Sequence, residues 1–410
     1  MDKLQRLLSR YGKAGGKEKA PERFGVLAAL LGVPDGRVKY VHVAGTNGKG
    51  SVCGFIACAL SAAGEKTGLF ASPYVVDITE RISVDGANIP KAELERLCAK
   101  AAAAAETAEK SGHTGFSQFE ILAAAALVYF SEERVAYAVI ETGIGGLMDC
   151  TNIITPEVGV ITRVSLDHTD ILGDSAEKIA RHKTGIIKKN VPCVVSPSQS
   201  AGVMRVIEET AATRGAALIV PDLSALGVTE SSVFGSGFVY KGRSFRVNMG
   251  GEHQIRNALT AIEALGVLDA DAAGISNARL AARLQVLSEN PLLISDGAHN
   301  PDGLRAARTT VEGLPGKKVV VAGMLSSKDY EGGLKELVAF ADAIVLTDGF
   351  SPLAARRGEL AAICRKYGAK EIYAVKDEKR AVLSARELAG SDGVVLVCGS
   401  FYLAGKILQQ

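Results

Sequence analysis

Short apolar, β-branched runs alternate along this chain with longer Ala- and Leu-rich stretches of helical period. VKYVHVA, TGLFAS, RVAYAVIE, EVGVITRV, PCVVS and ALIVP read as strands, because brief runs with little polar alternation suit a sheet covered on both faces. Helices are expected from Ser51 to Ala63, in two stretches ending near Ser131, and from about Ser175. Strand then helix, repeated, predicts an α/β fold on a mostly parallel sheet. Between Gly227 and Gly251 the residues alternate about a Lys241-Gly242 turn signal, which predicts a small antiparallel insertion. Two more helical stretches are expected to follow, to about Val286.

The segment LSENP, Leu287 to Pro291, is short, polar and closed by proline. After it a fresh series opens with LLISDGA, KKVVVAGML, DAIVLTD, EIYAV and GVVLVCGS. The expected organisation is therefore a larger domain over 1–286, a linker at 287–291 and a smaller Rossmann-like α/β domain over 292–410. A length of 410 residues agrees with more than one core at roughly 150 residues per domain.

Composition narrows the classes. With 47% apolar and 22% charged residues the chain can bury large cores, which excludes wholesale disorder. Lys plus Arg (47) nearly cancels Asp plus Glu (45), so no global field would draw it to nucleic acid or an anionic bilayer. The seven cysteines include no C-x-x-C pair and read as reduced thiols of a cytoplasmic protein rather than a disulfide or zinc framework. The apolar run Ile121 to Phe130 is about half of what a bilayer crossing needs, and the mixed charges of MDKLQRLLSR do not suit a signal peptide. No membrane partner is expected.

The sharpest local signal is HVAGTNGKGS, His42 to Ser51, between a predicted strand and a predicted helix. Gly45, Gly48 and Gly50 let backbone N–H groups turn around an anion, Lys49 adds a point charge, and the Ser51 hydroxyl suits Mg²⁺. The strict G-x-x-x-x-G-K-[ST] pattern fails, because Gly50 separates Lys49 from Ser51. The competing reading is a glycine-rich turn without a ligand; strand, lysine, hydroxyl and helix in this order favour a phosphate loop. RVAYAVIETGIGG then delivers Glu141 at a strand's carboxyl end, where it can complete a Mg²⁺ shell or simply be solvated.

Asp167 and His168 fall in a polar loop after EVGVITRV, where a histidine is more often structural than a ligand. Lys183 reads as a helix-face residue, since an ammonium cannot ligate a cation. DILG resembles a GTPase switch, yet no N-K-x-D occurs in the chain. ISDGAHNPDGL places Asp296, His299 and Asn300 in a turn before a helix, suited either to gripping a nucleotide or to capping.

Taken together, HVAGTNGKGS, LFASPYVVDITERISVDG, QFE (118–120), ETGIGGLMDCTN, SLDHTDILGDSAEKIARHKTGIIK, GEHQIRNA, ISDGAHNPDG and CGSFYLAG resemble the folylpolyglutamate synthase and dihydrofolate synthase family, within the Mur-type amide ligases. The likeness covers nearly the whole chain in order. It implies ATP-dependent ligation of L-glutamate to the carboxylate of dihydropteroate and of reduced folates, through an acyl phosphate, with folylpolyglutamate synthase activity alone as the runner-up. By position, Gly45, Thr46, Asn47, Gly48, Lys49, Gly50, Ser51, Asn257, Arg283, Asp296 and His299 would contact the nucleotide. Lys49, Glu141, His168 and Lys183 would be catalytic. Two Mg²⁺ would be held by Ser51, Ser72, Glu141, His168 and Lys183, the last as a carbamate, which turns the ammonium into an anionic ligand. Ser72, Pro73, Gln118, Phe119, Glu120, Met148, Asp149 and Cys150 would meet the pterin substrate, under a mobile loop SPYVVDITERI, and a monomer is expected.

Three departures stand out: Leu147 where many relatives carry arginine, Leu280-Ala281-Ala282-Arg283 in place of W-P-G-R, and Ala71 before Ser72-Pro73 in place of T-S-P. A cell-wall ligase shares the chemistry without a need for SPYVVDITERI and QFE, and a nucleotide-switched binding module would not need Glu141, His168 and Lys183.

Overall fold

The computed structural model describes residues 3–12 and 20–409. Eight strands, β1 (Lys39–Ala44), β2 (Thr67–Phe70), β3 (Ile82–Val84), β4 (Ala87–Asn88), β5 (Tyr137–Glu141), β6 (Val158–Ile161), β7 (Cys193–Val195) and β8 (Leu218–Ile219), form the first sheet. Their order is β4-β3-β2-β5-β1-β6-β7-β8. Pairing is parallel from β2 to β8, and only the β3 and β4 edge runs antiparallel.

The apolar runs seen in the sequence follow from this architecture. β5 and β6 are buried along their whole length, since helices cover both faces. Along β1 the faces alternate: Val41 and Val43 pack with Phe55 and Leu60 of helix Lys49–Ala62 and with Leu259 of helix Glu252–Val267. Tyr40 points the other way, into the core of helices Ala20–Leu31, Lys91–Lys110 and Gln118–Glu132.

The expected insertion is a three-stranded antiparallel sheet of β9 (Leu226–Ser232), β10 (Gly235–Tyr240) and β11 (Arg243–Val247). Lys241 and Gly242 both have positive φ, 49° and 76°, the geometry a two-residue turn needs to match strand twist. Phe238 and Phe245 stack at 5.7 Å and join the core beneath the phosphate-loop helix.

A second sheet comprises β12 (Gln285–Glu289), β13 (Leu292–Ser295), β14 (Lys318–Ala322), β15 (Ala343–Leu346), β16 (Ile372–Ala374) and β17 (Val394–Cys398), in the order β12-β13-β17-β14-β15-β16. Two expectations change here. Residues 287–291 are not a linker: Leu287 to Glu289 lie in β12, and Asn290-Pro291 turn the chain into antiparallel β13. The change of sheet comes earlier, between the helix ending at Val267 and Gln285. Nor does a second α-helix run up to Val286. That stretch holds one short turn, Ala273–Asn277, and then an irregular segment in which Ala282 and Leu284 adopt φ of 54° and 47°. Helix propensity is overridden, and the two left-handed residues bracket Arg283.

Candidate active site

β1 lies between β5 and β6, so the loop after it meets the ends of both neighbours at the carboxyl edge of the sheet. The loop is fastened to the β6 side. Thr46 and Asn47 N–H donate to Arg163 O at 2.8 and 3.2 Å, and Thr46 Oγ1 donates to Ser165 O at 3.0 Å. Gly45 and Gly48 have φ of 155° and 91°, and a Cβ on either would collide with Thr162 or Asn257. No side chain caps helix Lys49–Ala62, so its first-turn N–H groups and its positive dipole end are left for an anion.

Around this loop gather the charged groups that the sequence reading expected beside a phosphate. Glu141 ends β5, fully buried, and accepts from Ser72 N at 2.9 Å. Burial raises its pKa, against the pull of Lys49, whose Nζ stands 3.8 Å from Oε1. Lys183, the last residue of helix Ala176–Lys183, donates from Nζ to Gly45 O at 2.6 Å. Burial, and then the Lys49 charge, drives its pKa well down, toward a neutral amine. His168, in left-handed backbone, is pushed down to about 4 by burial and by Lys328, so at pH 7 its imidazole is neutral. Its Nε2 lies 3.2 Å from Lys328 Nζ. Burial alone would raise Asp167, but His299 and Lys328 hold it far below the usual carboxylate range.

Two cavities adjoin. One of about 120 Å³ is lined by Gly45 to Gly50, Ser72, Pro73, Glu141, His168 and Lys183, with Arg283, His299 and Phe401 from beyond the first sheet. The other, about 360 Å³, is lined by Asn47, Gly48, Ser51, Asn257, Arg283, Asp296 and His299 among others, and lies between the two sheets' domains. The Arg283 guanidinium is 4.6 Å from the centre of the Phe401 ring, and Asp296 accepts from Leu284 N and Ala298 N, both at 2.7 Å. The expected nucleotide and metal residues are therefore gathered in one continuous place.

The expected pterin residues are more dispersed. Glu120 faces inward to Arg23, and Asp149 accepts from Gly143, Ile144 and Thr151 N–H at 2.8 to 3.0 Å, shaping the turn after β5. Cys150 is buried, Gln118 Nε2 donates to Tyr11 O at 3.2 Å, and Phe119 packs on Phe70 at 5.4 Å. Met148 is exposed, as are Leu147 and Ile144.

Three further residues, Arg163, Asp302 and Lys328, join the site beside the expected Asn47 and Asn300. Asn47 donates to Asp302 at 2.9 Å and exchanges hydrogen bonds with Asn300, while Arg163 grips Asp302 through Nε and Nη2 at 2.7 Å. Asp302 lies two residues after Asn300 in the same HNPDG run, where a reader could have found it; Lys328, paired with Asp167 at 2.6 Å, carries no motif. Among the described residues no three His, Cys, Asp or Glu gather as a metal cluster. A metal here would rest on Glu141, His168 and the two serine hydroxyls, a mainly oxygen set that fits Mg²⁺.

Comparison with known proteins is consistent with this geometry. The Mur ligase middle domain matches residues 43–265, and the Mur ligase glutamate ligase domain matches residues 282–401. Folylpolyglutamate synthase of Lacticaseibacillus casei is 34% identical over 93% of this chain and 92% of its own length. The chain belongs to the folylpolyglutamate synthase/dihydrofolate synthase family. A dihydrofolate synthase/folylpolyglutamate synthase of Bacillus subtilis is 32% identical over 94% of this chain and 93% of its own. The crystal structure of a bifunctional member from Yersinia pestis, complexed with AMPPNP and Mn ion, has 31% identity and a TM-score of 0.85, over 99% of this chain and 96% of that one. As a member of this family of Mur ligases the protein is an ATP-dependent ligase, and the gap between its two matched domains, 266–281, lies before the hairpin at 287–291.

Proposed function

We propose that this ligase joins L-glutamate to the carboxylate of both dihydropteroate and reduced folates. The observation that carries the reading is the small cavity where the uncapped helix end, Lys49, Ser72, Glu141, His168 and Lys183 meet. A carboxylate is a poor electrophile, and its approach to ATP brings anions together. Backbone N–H groups from Gly48 to Ser51 and the Lys49 ammonium would hold the phosphates. Two Mg²⁺ would sit on Ser51, Ser72, Glu141 and His168, and bound magnesium would neutralise charge building on the transferred phosphoryl group. The acid carboxylate attacks the γ-phosphorus, ADP departs, and the glutamate amine then displaces phosphate from the acyl phosphate to leave the amide. Asn257, Arg283, Asp296 and His299 line the larger cavity, the side on which the rest of the nucleotide would lie. Packing of the second domain over the first keeps water from the acyl phosphate.

Lys183 completes the metal set as a carbamate. A neutral amine is the form that adds CO₂, and burial favours that form here. Lys49 is close enough to oppose a charge on Lys183 as an ammonium and to stabilise it as a carbamate anion. Native mass measurement at neutral pH is expected to show one added CO₂, lost in the Lys183→Ala variant; an unmodified wild-type chain refutes the carbamate. The protein is expected to act as a cytoplasmic monomer; no described helix is long and apolar enough to cross a membrane.

Incorporation of labelled glutamate, assayed separately with dihydropteroate and with tetrahydrofolate, tests the central claim. Product is expected from both. Product from tetrahydrofolate alone would leave a folylpolyglutamate synthase.

A further inference from the structure

Arg81 closes the loop that leaves the first sheet after β2 and returns at β3. Its carbonyl accepts from Ala71 N at 3.0 Å, so its backbone lies opposite the residue before Ser72, whose own N–H holds Glu141. The guanidinium lies 5.5 Å from the centre of the Tyr74 ring, and its Nε and Nη1 are buried with no hydrogen-bond acceptor. The comparably buried Arg23 is matched, to Glu120. Burial lowers the pKa of Arg81, yet a guanidinium keeps its proton in proteins. A fixed positive charge with unfilled donors in a planar fork calls for an anion, and a carboxylate fits that fork.

The place of Arg81 selects which carboxylate. The phosphates have their own receptor in the Gly48 to Ser51 turn, and the acid that is activated must react beside Lys49 and Glu141. Arg81 lies within electrostatic reach of Glu141 too, but it borders the second domain. Tyr402, on helix Phe401–Leu408, is an electrostatic neighbour of both Arg81 and Tyr74. The end of that helix grips the same loop, with Gln409 Nε2 donating to Val76 O at 3.0 Å. The guanidinium thus stands where the two domains meet, on the side from which an amine can reach an acyl phosphate formed next to Ser72. We infer that Arg81 is the receptor for a carboxylate of the incoming amino acid, orienting its amine toward the activated acyl carbon. The inference rests on the ligase reading above.

Steady-state kinetics on the full chain test it. Arg81→Gln is expected to raise the KM for L-glutamate roughly 10- to 100-fold, the usual effect of losing a charged hydrogen bond, with Arg81→Lys recovering part of it. The KM values for ATP and for the folate acid, and the calorimetric affinity for a non-hydrolysable ATP analogue, stay at wild-type levels. Amide analogues add a second readout: the wild type discriminates against the amide of whichever glutamate carboxylate Arg81 holds, and Arg81→Gln loses that discrimination. An unchanged glutamate KM overturns the assignment. So does an increase confined to the folate acid, which places the guanidinium on the other substrate, or a parallel loss of nucleotide affinity, which marks a structural role. Failure of the ligase reading appears in the wild type itself, as no glutamate-dependent release of ADP, and removes both.

Discussion

Glu120 accepts from Arg23 Nε and Nη2 at 3.0 Å each, and from Ser117 N and Oγ at 2.8 and 2.7 Å. The two side chains of the ion pair are 1% and 2% exposed. A charge pair at that depth persists because each member neutralises the other, and truncating Glu120 removes the buried carboxylate that takes the Arg23 Nε and Nη2 donors. Glu120→Ala is therefore expected to destabilise the fold by about 3–5 kcal/mol, read as a lowered urea midpoint at unchanged slope. A variant of wild-type stability with a raised KM for the pterin substrate would show instead that the carboxylate faces the ligand. In the sequence, the QFE run resembles a pterin-binding stretch because its letters are contiguous. Arg23, 97 residues earlier, gives no local sign that it takes the carboxylate. Lys183 shows the complementary case: read alone it is a solvated helix-face lysine, and only the packing of its helix against the phosphate loop buries it.

At the scale of elements, the legible parts were those whose neighbours are uniform along their length. β1, β5 and β6 announce themselves because a strand sandwiched between helices is apolar at most of its positions. The glycine-rich loop after β1 was legible for a related reason: a phosphate-binding turn needs glycine, lysine and hydroxyl in a fixed local order, independent of distant residues. Two segments failed where distant contacts decide. LSENP carries the polar, proline-closed texture of a linker, and a two-residue hairpin turn has the same texture. What makes it a hairpin is the pairing of Leu292 with Val394, about a hundred positions away, which draws β12 onto the sheet edge. The Ala- and Leu-rich stretch before Gln285 has good helix formers, yet positive φ at Ala282 and Leu284 turns Arg283 toward the cavities. Local preference of a few tenths of a kcal/mol per residue cannot resist a tertiary demand of that kind.

On the scale of the whole molecule, the site lies where the two domains touch, and polar contacts are among those that join them. Lys328 pairs with Asp167, Asn300 with Asn47, and Asp302 with both Asn47 and Arg163. Polar interdomain contacts of this sort resemble transient interfaces and permit relative motion. Of these latches, Asp302 with Arg163 gives the cleanest perturbation, since Lys328 also touches His168. Against burial, Arg163 holds the Asp302 carboxyl below its ordinary range. Arg163 remains 41% exposed, so solvent weakens the pair and its contribution to docking is about 1 kcal/mol. That amounts to a roughly five-fold change in the ratio of docked to separated domains. Asp302→Ala and Arg163→Met are each expected to enlarge the radius of gyration of the ligand-free protein in small-angle scattering. The double variant should add little to either, because both remove the same latch. A saturating ATP analogue should return the wild-type curve in Arg163→Met, as a ligand gripped by both domains favours the docked arrangement. Scattering indistinguishable from wild type in both single variants would mean that apolar packing, such as Phe401 against Ala282 and Val75, fixes the domains without help from this pair.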